Sequence, residues 1–155
     1  MKTFAELVRD LQPAVQEVFP WDIEERINEG DVPIILDVRE ESEYAAMHIA
    51  DSLNVPRGIL ETACEYDYEE TVKELVEARD RDIVVVCRSG NRSILAAHSM
   101  QLMGYTRVSS MKTGLRGWND YELQLVNSAG QAVAVEEADE FFTTRLRPDQ
   151  ESPKK

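Results

Sequence analysis

Apolar residues change their period several times along the chain, and each change predicts an element. Phe4, Leu7, Val8 and Leu11 recur at helical spacing, so Thr3–Leu11 reads as a short amphipathic helix. Pro13 and Pro20 punctuate the next stretch, and Asp22-Ile-Glu-Glu25 resembles an acidic capping box opening a helix that runs towards Gly30. Pro33-Ile-Ile-Leu-Asp-Val38 is a short, β-branched apolar run, the mark of a buried strand. A helix is predicted over Glu41–His48, a second short strand over Ser52–Val55, and irregular chain over Arg57–Asp67. Tyr68–Asp80 reads as helical, with Val72, Leu75 and Val76 on one face. Ile83-Val-Val-Val86 is the most strand-like segment of all; a polar turn over Arg88–Asn91 and a helix over Ser93–Met103, stopped by Gly104, come after it. Arg107–Ser110 is predicted as the last strand, Gly114–Val126 as a helix and Val135–Leu146 as another, while Pro148–Lys155 is polar and expected to be disordered.

Strands alternating with helices predict an α/β fold, a central and mostly parallel sheet with helices on both faces. The 155 residues suffice for one domain with its own core. The organisation expected is a helical extension over residues 1–21, the domain over 22–127, and an acidic segment with a disordered tail over 128–155.

Composition narrows the functional classes. Hydrophobic residues make up 43% and charged ones 30%, ordinary values for a soluble domain. No apolar run approaches the roughly 20 residues of a membrane span. Met1–Asp10 lacks the features of a secretory signal, so a cytoplasmic protein without a membrane partner is expected. Two cysteines, Cys64 and Cys87, are too few for a disulfide framework or a structural zinc site, and no metal or organic cofactor is expected. With 17 basic and 30 acidic residues the net charge is −13, which disfavours nucleic acid as a partner. Between Ile83 and Trp118, however, there is no Asp or Glu, while Arg88, Arg92, Arg107, Lys112 and Arg116 all fall there. A basic island in an acidic protein suggests a site for a small anion.

The island contains Val84-Val-Val-Cys-Arg-Ser-Gly-Asn-Arg-Ser93. A cysteine at the carboxyl end of a central strand, just before a helix, occupies the usual ligand crevice of an open α/β sheet. Loop amides and the unpaired N–H groups of the helix start can converge there, and they stabilise a thiolate, as do neighbouring cations. Gly90 permits the tight backbone such a cradle needs. The bland alternative, a buried cysteine acting as a small hydrophobe, does not account for two arginines, a glycine and a helix start within six residues.

Cys-Arg-Ser-Gly-Asn-Arg-Ser resembles the active-site loop of the rhodanese sulfurtransferases. Leu36-Asp-Val-Arg-Glu40, Glu43-Tyr44, His48-Ile49 and Asn54-Val-Pro56 resemble the same family's entry signature, and Gly104-Tyr-Thr-Arg-Val108 with Gly114-Leu-Arg-Gly-Trp118 its closing segment. The resemblance covers about Asp22 to Leu125, with Met47, Ala50-Asp51-Ser52 and Thr113 departing from the family's usual glycines and Pro-Gly-Ala. It implies a rhodanese-like fold and ping-pong sulfur transfer through a persulfide on Cys87. Arg88, Ser89, Gly90, Asn91, Arg92 and Ser93 would hold the persulfide, with Arg88 and Arg92 orienting a small anionic sulfur donor. The acceptor would be a low-molecular-weight thiol or a sulfur-carrier protein. Asp37 and Arg39 would be architectural supports.

Elsewhere the plain readings lead. His48 and His98 read as structural, Trp118 as packing, and Cys64 as an ordinary cysteine rather than a resolving thiol. Two rival functions stand beside sulfur transfer. Cysteine phosphatases and arsenate reductases place an arginine six positions beyond the cysteine, whereas here Arg92 comes five positions on and Ser93 fills the sixth. A non-catalytic binding module would make use of the terminal extensions, but has no need of a thiolate in a ring of amides.

Overall fold

A computed structural model describes residues 1–153. Five strands form one sheet, every pair of them parallel: β1 (Gln16–Val18), β2 (Ile34–Asp37), β3 (Leu53–Asn54), β4 (Ile83–Val86) and β5 (Val108–Met111), in the order β1-β5-β4-β2-β3. The α/β expectation holds, and the sheet is parallel throughout. β4 lies at its centre with all four residues buried, because helices cover both faces and leave no wet side for polar alternation.

Alternate side chains of β4 enter two separate cores. Ile83 and Val85 face a cluster with Val8, Leu60, Leu75, Ile94 and Met100. Val84 and Val86 face one with Ile23, Leu115, Trp118, Ala138 and Phe142. The first layer is thus built from α1 (Phe4–Leu11), α4 (Leu60–Ala63), α5 (Lys73–Val76) and α6 (Arg92–Leu102). The second contains α2 (Pro20–Asn28), α7 (Gly114–Asp120) and α8 (Val135–Phe141), with α3 (Glu41–Ala46) following β2.

Several boundaries differ from the sequence reading, each for a local reason. Gln16–Val18 is a strand along β5 although it is short, polar and bracketed by prolines; as an edge strand it needs few apolar residues. α2 starts at Pro20 rather than Asp22, because Phe19 is the N-cap and Asp22 accepts its N–H at 2.9 Å from the N3 position. Within Arg57–Asp67 there is a 3₁₀ turn, Arg57–Ile59, and the short α4, whose Leu60 and Ala63 are fully buried. The helix predicted over Tyr68–Asp80 shrinks to α5: Asp67 is left-handed, and Thr71 bonds backward to Glu65 and Tyr68. α7 stops at Asp120, before left-handed Glu122, and Val126 pairs as a bridge with His48. In the predicted disordered tail, Pro148–Gln150 forms one 3₁₀ turn and residues 151–153 are irregular and exposed, while Lys154 and Lys155 lie outside the described residues.

The N-terminal residues are integrated with the rest. β1 joins the sheet, and α1 packs along α6, with Val8 in the first core. No helix among the described residues is long and apolar enough to cross a membrane.

At the carboxyl end of β2, Asp37 and Arg39 form a fully buried ion pair, Arg39 Nη2 to Asp37 Oδ2 at 2.8 Å. Arg39 also donates from Nε to both Asp37 oxygens and from Nη2 to the Met47 carbonyl, and Asn54 Nδ2 bridges the carbonyls of Asp37 and Arg39. Arg39 Nη1 is buried with no partner among the described residues. The pair therefore holds β2, β3 and the end of α3 together at the cost of desolvating two charges. Asp37→Ala, which leaves a lone buried guanidinium, is expected to lower unfolding free energy by about 3–5 kcal/mol in urea denaturation. The double change Asp37→Leu, Arg39→Met should recover most of that loss; equal instability of single and double variants would contradict this reading.

Candidate functional site

Register places the end of β4 beside the buried pair: Asp37 is the partner of Val86, and Cys87 is the next residue. Cys87 is almost wholly buried. Its Sγ accepts the N–H of Gly90 at 3.2 Å and that of Ser93, in the first turn of α6, at 3.3 Å. Ser93 Oγ lies 3.3 Å from the sulfur and accepts the Ser110 hydroxyl at 2.7 Å. With that bond made, the Ser93 hydroxyl proton is free to turn onto an anionic sulfur, giving three donors around one atom.

The loop is shaped from outside by the start of α7. Leu115 N–H donates to the Cys87 carbonyl at 2.8 Å, and Arg116 N–H to the Arg88 carbonyl at 3.0 Å. So close an approach requires Gly114, since a Cβ there would sit 2.5 Å from the Arg88 carbonyl. Gly90 itself is left-handed, at φ +88°. Thr113, where the resembled family usually has glycine, is also left-handed at φ +70°, an unfavourable state for a β-branched residue. Met47, another departure, is merely extended, and Asp51 takes the left-handed state its side chain tolerates.

Both arginines expected to orient a donor have partners within the chain. Arg88 Nη2 donates to the Phe142 carbonyl at the end of α8, at 2.7 Å. Arg92 makes a bidentate pair with Glu43, both contacts at 3.0 Å. Burial pushes the Glu43 carboxyl up, but the Arg92 hydrogen bond, the Glu40 N–H and the charges of Arg92 and Arg39 outweigh it and hold the group below the usual carboxylate range. Arg92 is raised, chiefly by its hydrogen bond to Glu43 against the opposing effect of burial. Of the other island cations, Arg107 pairs with Asp82 and Lys112 lies over the Phe19 ring. Arg116 is exposed in a neighbouring cleft of about 450 Å³ with Trp21, Ser89 and Tyr121. Two of the five island cations, Arg92 and Arg107, thus face carboxylates, while Arg88 is held by a neutral carbonyl and keeps its charge beside the loop.

Above the sulfur is a pocket of about 180 Å³ lined by Phe4, Cys87, Arg88, Ser89, Asn91 and Arg92. Ser89 and Asn91 are exposed at its rim. Glu43, Ser110, Gly114 and Phe4 were not singled out from sequence as site residues. In the sequence Glu43 and Gly114 lie within the family-like segments with nothing to mark a role, and Phe4 shows only a helical period.

The remaining candidates stand apart from the sulfur. His48 stacks on Tyr44 with Nδ1 2.7 Å from the Tyr44 carbonyl, and His98 is half-buried on α6. Trp118 packs in the second core and donates to the Gln124 carbonyl. Cys64 is fully buried, and burial pushes its thiol above the ordinary value.

Comparison with known proteins identifies the family and the fold. The family described as Rhodanese-like domain matches residues 20–121. A sulfurtransferase of Allochromatium vinosum is 27% identical over 116 residues, covering 75% of this chain and 99% of that one. YrkF of Bacillus subtilis, whose name includes the words sulfur carrier protein, is 30% identical over 105 residues; the match covers 68% of this chain but about half, 51%, of YrkF. Among solved structures, a Rhodopseudomonas palustris protein of unknown function, described as a possible tyrosine phosphatase, superposes with a TM-score of 0.70. It covers 79% of this chain and 92% of its own at 24% identity, a likeness of fold alone.

The Glu43–Arg92 pair gives a direct test of the site's charge. Its contribution to folding is present above the ordinary carboxylate pKa and is lost as pH falls through the depressed value in the folded protein. Alkylation of Cys87 by anionic iodoacetate, divided by that by neutral iodoacetamide, cancels the thiolate fraction and reads the local field. Glu43→Gln should raise this ratio several-fold at neutral pH, and in the unchanged protein it should rise only below the usual carboxylate range. A ratio indifferent to Glu43→Gln would show that the pair does not set the field at the sulfur.

Proposed function

Because this chain belongs to the rhodanese-like domain family, we propose that it is a sulfurtransferase in which Cys87 carries the sulfur between donor and acceptor. The observation that carries the reading is the convergence of two backbone amides and a relayed hydroxyl on Cys87 Sγ at the floor of a small pocket. Such fixed donors stabilise negative charge on a sulfur atom without reorganising during the reaction.

The Cys87 thiolate attacks the outer sulfur of a donor, such as thiosulfate or an organic persulfide. A new S–S bond forms as the old one breaks, and sulfite or a thiolate leaves with the electron pair. The transferred sulfur, now terminal on Cys87, extends the anion into the same ring of donors. A nucleophilic acceptor, whether a small thiol, a carrier protein or cyanide in an assay, attacks that sulfur and releases the Cys87 thiolate. Sulfur-carrier chemistry in the name of the relative YrkF supports a relay role. Both cysteines are free, as suits a reducing cytoplasmic compartment.

Phosphate-ester chemistry is the weaker reading. It asks for a guanidinium aimed at a bound oxyanion, whereas Arg92 is turned into a bidentate pair with Glu43.

Cys87→Ser is expected to abolish thiocyanate formation from thiosulfate and cyanide, with the thermal midpoint little changed, while Cys64→Ser keeps most of the activity. Aryl phosphates should show no turnover with the unchanged protein. Phosphatase activity without sulfur transfer, or activity surviving in Cys87→Ser, would overturn the proposal.

A further inference from the structure

We propose that Phe4 is a specificity-determining residue, whose ring forms an apolar wall of the Cys87 pocket and fits it to the carbon body of an organic persulfide rather than to a small inorganic dianion. This rests on the sulfur-transfer reading above and narrows its donor.

Phe4 comes from a helix outside the matched family region of residues 20–121. α1 is nonetheless fixed in place. A capping box joins Thr3 and Glu6, Val8 is buried in the first core, and Leu11 packs against that core. α1 and α6 run side by side in the same direction. Phe4 shares the pocket with Arg92 at the start of α6, while Gln101 near its end donates to the Ala14 carbonyl just beyond α1. α1 therefore delivers its first residue to the mouth above the sulfur. There Phe4 is 51% exposed, and Leu7, one turn on, is 45% exposed, so an apolar face remains open to a ligand.

The polar groups of the pocket point to the same class of donor. Arg88 and Arg92 line it, but their guanidinium groups bind Phe142 and Glu43. The amides of Gly90 and Ser93 are already directed at Cys87 Sγ. A dianion such as thiosulfate would be dehydrated against a phenyl ring, beside one arginine neutralised by Glu43 and another whose guanidinium is held by the Phe142 carbonyl. An organic persulfide needs only its terminal sulfur at the floor, with its carbon body against Phe4. The step is balanced within itself. The Cys87 thiolate attacks the terminal sulfur of R–S–SH, a Cys87 S–S bond forms as the donor's S–S bond breaks, R–S⁻ leaves with the electron pair, and the proton stays on the sulfur now carried by Cys87. No external oxidant or reductant enters.

The test is single-turnover loading of the full chain, followed as the second-order rate constant for sulfur addition to Cys87, with benzyl persulfide and with thiosulfate. Phe4→Ala should slow loading from benzyl persulfide about tenfold, the scale of a lost apolar contact in a specificity pocket. Its loading from thiosulfate should hold or rise, because the ring no longer dehydrates the dianion, so the ratio of the two rate constants falls; Phe4→Leu should restore part of the loss with the persulfide, and Phe4→Lys should speed loading from thiosulfate further. Equal effects of Phe4→Ala on both donors, or no effect on either while loading persists, would overturn the role of Phe4. Failure of the unchanged protein to load from both donors would instead remove the sulfur-transfer reading, and this proposal with it.

Discussion

Two backbone hydrogen bonds, from Leu115 N–H to the Cys87 carbonyl and from Arg116 N–H to the Arg88 carbonyl, are the constraint on which the site depends. In a planar trans peptide the carbonyl and the following N–H point opposite ways. Tying two successive carbonyls to the start of α7 therefore turns the next two N–H groups to the other side and forces the loop into a tight curve. Left-handed Gly90 and the first turn of α6 complete the curve and bring two further N–H groups onto Sγ. The parallel sheet makes this possible: β4 and β5 end together, so the loops after them meet, and only a glycine at position 114 lets them touch.

The part of the structure legible in sequence was that in which local pattern and global position agree. Ile83–Val86 is apolar throughout and central, and Cys87 follows it at once, so strand, loop and helix were all legible there. Elements whose stability comes from neighbours were not. Gln16–Val18 is a strand because β5 offers it an edge, and α4 is a helix because Leu60 and Ala63 have a core to enter. Tyr68–Val72 has helical spacing, but side-chain and backbone bonds to Glu65 and Ala63 hold it in another shape.

The same division runs through the site. Cys87, Gly90 and Ser93 sit within seven consecutive residues, and their meeting is local. Glu43, Ser110 and Phe4 reach the loop from three other elements, and no spacing in the chain relates them to it. The basic island shows how far one-dimensional reading can mislead. Five cations without an acid looked like an anion site, yet Glu43, Asp82 and the Phe142 carbonyl come from elsewhere to meet three of them. The donor field at the sulfur comes from oriented N–H and O–H groups, with the charge of Arg88, held by neutral oxygens, beside it.

The central claim is that this donor field exists to hold a transferable sulfur on Cys87. The most direct measurement is the intact mass of the protein, reduced and then exposed to a sulfane-sulfur donor, with the adduct mapped by peptide fragmentation. The account predicts a gain of about 32 Da, one sulfur atom, on Cys87, lost again when a thiol acceptor or cyanide is added. An unmodified Cys87 with every donor tried, or a stable adduct confined to Cys64, would contradict it.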